Sequence, residues 1–240
     1  MLFLYKKNLQ TAVSITSTDT SPLTDITRLY DTRLSSFVIF VPGDNTVTIH
    51  VSFAESLPYD AIGLGGHSFG EGSTMSVNGG APLPVTRRHA IVEQELGAST
   101  EFDIIITDPT MGAGDLRYIG RLEIGVLYRS PDVSSQIKID IVSNSDALFS
   151  SSRQVYGYRR DPYARASFQF PLIDTDQRRL MSLVFQYVDV FVPFLAMLEE
   201  ECYGVSMNTN YVVLEETGVL SFQLNDAMLY TSSITLSEVS

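Results

Sequence analysis

The chain has 240 residues, a hydrophobic fraction of 44%, a charged fraction of 18% and a formal net charge of −12. This apolar content can build a core and excludes wholesale disorder. The acidic balance excludes a nucleic-acid partner, whose binding draws on basic groups that neutralise phosphates. With Cys202 as the only cysteine, an intrachain disulfide and a cysteine zinc cluster are excluded as well.

The N-terminal run Met1-Leu2-Phe3-Leu4-Tyr5-Lys6-Lys7 puts its apolar residues ahead of its charges. A secretory signal has the opposite order, so the run predicts a first strand. A short helical turn is expected near Thr24–Arg33, with Thr24 or Asp25 as its cap. Phe37–Val41 is a continuous apolar run, as expected of a strand buried on both faces, and Pro42-Gly43-Asp44-Asn45 ends it with a turn. Thr46–Phe53 alternates apolar and polar residues with a period of two, which places one face in a core and the other in water.

Gly66-His67-Ser68-Phe69-Gly70 matches the G-x-S-x-G elbow that presents a nucleophilic serine between a strand and a helix. Here the residues that follow, Glu71–Gly80, read as a glycine-rich turn and a β-like run. A triad also needs an acid and then a histidine downstream, and the only later histidine, His89, comes too early. The segment therefore predicts a scaffold turn at Gly66, His67, Ser68 and Gly70, with the His67 imidazole hydrogen-bonded to backbone. Three scattered histidines have no metal-ligand spacing. Asp103, Asp108 and Asp115 flank a glycine-containing loop, but they match no calcium loop and read as turn-stabilising. The expectation is a non-enzymatic chain with no catalytic residue, metal or cofactor.

Asn78-Gly79-Gly80 and Gly112-Ala113-Gly114-Asp115 are further turns, and Phe102–Ile106 is another continuous apolar run. Strands this short and this frequent indicate a sandwich or barrel. Arg129-Ser130-Pro131-Asp132 marks an internal division, giving regions 1–130 and 131–240. Beyond it, Ile137–Ile141, Ser167–Phe170 and Val219–Leu224 alternate as strands. In the cluster Tyr156, Tyr158, Arg159, Arg160, Tyr163 and Arg165, the residue types are those enriched at interface hot spots, so it is either a candidate interface or a loop packed on its own domain. Leu180, Leu183, Val184, Tyr187, Val188 and Phe191 recur at helical spacing and predict an amphipathic helix near 175–190. Asp174 and Gln177 are its capping box. The apolar stretch Val188–Leu198 is broken by Asp189 and Pro193 and is too short to span a bilayer, so no membrane insertion is expected.

Asp60-Ala61-Ile62-Gly63-Leu64-Gly65-Gly66-His67-Ser68-Phe69-Gly70 followed by Gly72–Val77, the strand Arg117–Tyr128, and the order of Arg165–Phe170, a helix and Phe191-Val192-Pro193-Phe194-Leu195 together resemble bacteriophage tail and virion structural proteins with a discoidin-like, galactose-binding-type β-sandwich. This chain departs from their pattern in having Ser68 and Phe69 where Asn and Leu are usual. The resemblance implies a mainly β fold, a jelly-roll or discoidin-like sandwich over 1–130, then a β-rich assembly region over 131–240 with the one helix. It further implies a structural or adaptor component of a virion, made in the host cytoplasm. Its partners would be other virion proteins and copies of itself. The alternative is a glycan-binding module that contacts the host surface through loops around Gly65–Gly72 and Gly79–Pro84.

Overall fold

A computed structural model describes residues 2–5, 11–31, 36–85, 89–131, 138–142, 146–149, 155–158, 163–187, 193–197, 210–214, 222–224 and 229–238. The chain is mainly β, with curled antiparallel sheets and one α-helix among the described residues. It divides into two compact units. The first comprises Met1–Arg129 with Phe194–Tyr211, the second Ser130–Pro193 with Val212–Ser240.

The first unit contains β1 (Leu2–Tyr5), β2 (Ala12–Thr16), β3 (Val38–Phe40), β4 (Thr46–His67), β5 (Thr74–Val77), β6 (Leu83–Pro84), β7 (His89–Thr107) and β8 (Arg117–Arg129). A 3-10 helix at Ile26–Tyr30 is capped by Asp25, whose side chain accepts from the Thr27 N–H. The strands run in the order β6-β5-β7-β4-β8-β1, with β2 on β4 and β3 on β8.

Strands β4 and β7 form a long curled antiparallel pair. Thr46–Ser52 pairs with Glu101–Thr107, and the register then shifts between Ser52 and Leu57 and again between Tyr59 and Ala61 before Ala61–Gly65 pairs with His89–Glu93. Such bulges bend and twist a strand. The two halves of the pair therefore flank different partners, β2 and β5 at one end and β8 at the other. Val47, Ile49, Val51, Phe102, Ile104 and Ile106 share a core with Ile62, Leu64, Val92, Ile119, Leu122 and Ile124.

The alternation expected at Thr46–Phe53 is present. Two runs expected to be buried on both faces differ. In Phe37–Val41, Val38 and Phe40 are buried while Phe37 and Val41 are exposed. In Phe102–Ile106, Phe102, Ile104 and Ile106 are buried while Asp103 is exposed. Each run has only one covered face, so its odd and even positions divide between core and water. Burial on both faces belongs to Ala61–His67 and Ile119–Gly125, the central pair.

In the second unit, β9 (Lys138–Val142), β12 (Tyr163–Ile173), β16 (Tyr230–Glu238) and β14 (Asn210–Leu214) are neighbours, β15 (Gln223–Leu224) also pairs with β16, and β10 (Asp146–Phe149) pairs with β11 (Val155–Tyr158). In the first unit, β13 (Phe194–Met197) pairs with β1. Helix α1 spans Thr175–Tyr187. Its expected capping box is formed. The Gln177 N–H donates to Asp174 Oδ1 at 2.7 Å, and Gln177 Oε1 accepts from the Asp174 N–H at 3.1 Å, so two otherwise orphaned donors are satisfied. Among the described residues no helix is long and apolar enough to cross a membrane.

Candidate functional site

The first unit holds a groove of about 620 Å3 lined by Tyr59, Val77, Asn78, Gly80, Ala81, Leu83, Glu93 and Glu95. Its size falls within the range of small-ligand sites. The groove follows from the fold. Tyr59 sits at the bend of β4, opposite Gly97, and its ring meets Phe102 edge-on with centroids 4.7 Å apart. Phe102 in turn packs edge-on against Phe53 at 5.7 Å, so the half-buried tyrosine is braced from the core.

The turn that leaves β5 forms the opposite wall. Asn78 and Gly79 have φ of 50° and 72°, and the Gly80 N–H closes on the Val77 carbonyl at 2.9 Å. Two successive positive φ values suit the Asn-Gly pair and make a tight reversal. Asn78 also joins this turn to β7. Its Oδ1 accepts from the Asp103 N–H at 2.8 Å and its Nδ2 donates to the Glu101 carbonyl at 3.1 Å. From β7 come Glu93, in an ion pair with Arg129, and the exposed Glu95. The lining thus offers an aromatic ring, aliphatic surface and two carboxylates, each able to accept hydrogen bonds from hydroxyl or ammonium groups.

The turn predicted at Gly66–Gly72 is a separate, tightly cross-linked structure around Asp108. Asp108 Oδ2 accepts from the Gly70 N–H at 2.9 Å and from Arg117 Nε at 2.8 Å. Its Oδ1 accepts from the Thr110 N–H at 2.8 Å and from the Thr110 hydroxyl at 2.6 Å. Burial by itself would raise this carboxyl's pKa, but the bonds from Thr110, Gly70 and Arg117 outweigh it and hold the group well below the usual carboxylate range. The turn-stabilising role expected of Asp108 is thereby given a geometry. A Cβ at Gly70 would lie 2.2 Å from Thr110 Oγ1, so glycine is required there. Ser68 exchanges bonds with one residue, its N–H donating to the Tyr118 carbonyl and its Oγ accepting from the Tyr118 N–H at 2.9 Å.

His67 differs from expectation. Its imidazole is buried, and neither ring nitrogen has a hydrogen-bond partner among the described residues. It faces the Phe69 ring, with centroids 5.6 Å apart. The backbone bond expected of it is made instead by His89, whose Nδ1 accepts from the Gly66 N–H at 3.0 Å. His67 ends β4 opposite Ile119, where both faces of the strand are covered and the neighbouring backbone groups are engaged in the ladder. Burial pushes the His67 pKa down to about 4, and the Asp108 charge opposes that only in part.

Of the candidate interface residues, Tyr156 and Tyr158 lie in β11 opposite Leu148 and Asp146. Tyr163 and Arg165 are half-buried in β12, opposite Val142 and Asp140. Arg159 and Arg160 lie outside the described residues. Of the two loops considered for glycan contact, Gly79–Pro84 lines the groove and Gly65–Gly72 does not. Tyr59, Glu93 and Glu95 were missed in the sequence. Tyr59 lies 34 or more positions from the two glutamates along the chain, and the β4–β7 register brings them together.

No family model and no curated protein matches this chain. Among solved structures, it is similar to a Streptococcus pneumoniae fucose binding module (8% identity, TM-score 0.38, covering 50% of this chain and 95% of that one). It is also similar to chitosan-binding module 1 of a Paenibacillus sp. IK-5 chitosanase/glucanase (12%, TM-score 0.39, 50% and 98%). A third is the family 32 carbohydrate-binding module of C. perfringens NanJ, solved with galactose (12%, TM-score 0.37, 53% and 100%).

Proposed function

We propose that the chain is a non-catalytic glycan-binding protein whose binding site is the groove between Tyr59, the Asn78–Leu83 wall and Glu93–Glu95. The observation that carries this reading is the lining itself: an aromatic ring braced by Phe102, apolar surface beside it, and carboxylates at the rim. A pyranose has an apolar C–H face and a hydroxyl edge, and this lining is complementary to both. The site stands on paired strands and a hydrogen-bonded turn, so little ordering is required on binding. Ser68, the one serine in a nucleophile-like motif, is engaged with the Tyr118 backbone, and His67 makes no bond to it. This supports binding without turnover. In the virion setting that the sequence resemblance implies, the saccharide is a host-surface glycan, and contact with it is the task of a tail component.

Ligand-observed NMR against a panel of neutral, amino and acidic oligosaccharides tests the reading. Binding by the parent chain that is lost in Tyr59→Ala and in Ala81→Trp, which fills the groove from an exposed wall position, is the expected result. Binding that both variants retain, or no binding to any saccharide class, overturns it.

A further inference from the structure

The groove carries an asymmetry of charge. Glu93 is matched by Arg129, but Glu95, exposed at the same rim, makes no ion pair among the described residues. Of the acids on β7 nearest the Asn78 turn, Asp103 is hydrogen-bonded to His50, Nδ1 to Oδ1 at 2.6 Å, and Glu101 is exposed. Among the described residues the lining includes no lysine or arginine, and the whole chain carries a formal charge of −12. The field in the groove therefore repels a carboxylated or sulfated sugar and attracts a cation.

We infer that the groove selects saccharides bearing a protonated amine, with Glu95 as the residue that reads the charge. The inference rests on the glycan-binding reading above and narrows its ligand class. Tyr59 and the aliphatic wall take the sugar face, the ammonium group lies against the Glu95 carboxylate, and the Glu93–Arg129 pair stays closed. Because the Glu95 contact is exposed to solvent, its contribution is modest and sensitive to salt.

Titration calorimetry of the full chain at low ionic strength decides the matter, using three probes of matched length: a β-1,4-linked glucosamine oligomer, its N-acetylated counterpart and an oligouronate. The expected order is glucosamine oligomer first by about 2–5-fold, as for one exposed ion pair, then the neutral oligomer, with no measurable binding of the oligouronate. Glu95→Gln is expected to erase the preference for the amine, so that the variant binds the amine and neutral oligomers equally, and raised salt is expected to shrink the preference of the parent in the same direction. Ala81→Trp is expected to abolish binding of both. Equal affinity for amine and neutral oligomers in the parent, a preference that survives Glu95→Gln, or tight oligouronate binding overturns the inference while leaving the glycan-binding reading in place. No binding to any of the three, or binding indifferent to Ala81→Trp, removes both.

Discussion

The buried imidazole of His67 makes acid stability the sharpest test of the structure. A histidine held at about 4 when folded and near 6.5 when unfolded stays neutral in the native state while the unfolded chain takes up a proton. Its effect is therefore absent above about pH 7.5. Stability falls as pH drops through the unfolded pKa, and the loss levels off below the folded one, where both states are protonated. At about 1.4 kcal/mol per pH unit, the loss attributable to His67 is about 2 kcal/mol at pH 5 and about 3 kcal/mol at full extent. The groups facing it are Asp108, held ionised by its own hydrogen bonds across this range, and Phe69, which does not titrate. Neither cancels the effect. Urea unfolding of the parent and of His67→Leu, each at pH 7.5, 6, 5 and 4.5, isolates it, because other titrating groups drop out of the difference. The parent is expected to lose about 2 kcal/mol more than the variant between pH 7.5 and 5. Parallel stability profiles would refute the reasoning, whatever the absolute effect of the substitution.

Three further outcomes follow from the geometry. Arg121 and Glu123 form a buried pair, Nε to Oε1 at 2.6 Å, and Arg121 also donates to the Asp31 carbonyl at 2.6 Å. Glu123→Gln removes the Glu123 charge from this buried guanidinium and is expected to cost about 3 kcal/mol in urea unfolding; a loss below about 1 kcal/mol would mean that the remaining contacts of Arg121 suffice. Gly70→Ala drives a methyl group into Thr110 and is expected to cost about 1–3 kcal/mol, with a smaller penalty in a Thr110→Ala background; strict additivity of the two changes would show that the contact is not the cause. Asp174→Ala removes the cap of α1 and is expected to cost about 1 kcal/mol in thermal unfolding, with an unchanged melting temperature counting against the reciprocal box.

Local chemistry was legible in the sequence wherever it acts over a few residues. The alternation of Thr46–Phe53, the Asp174–Gln177 box and the Asp25 cap each depend on neighbours two or three positions away, and each is found where the pattern placed it. What depends on pairing across the chain was not legible. The alternation at Thr46–Phe53 marks only the first part of β4, which runs on to His67 because bulges absorb the register shift against β7. The burial of Arg121 and Glu123 in β8 depends on distant backbone too, since Arg121 donates to the Tyr30 and Asp31 carbonyls. The groove is the extreme case, since its ring, its wall and its acids come from three strands, and no short motif contains any two of those parts.

The outer wall of the groove belongs to the last strand on its side of the sheet. Among the described residues β6 has only β5 as a partner, and its second residue is Pro84, which has no N–H to offer a further strand. Asn78 is tied to the β7 backbone and Tyr59 to the core ring Phe102, whereas the positions from Gly79 to Leu83 lead only into this edge strand. In the proposed site, that short stretch is therefore the part that selection or a designer can redraw while the ring and the acids stay where β4 and β7 hold them.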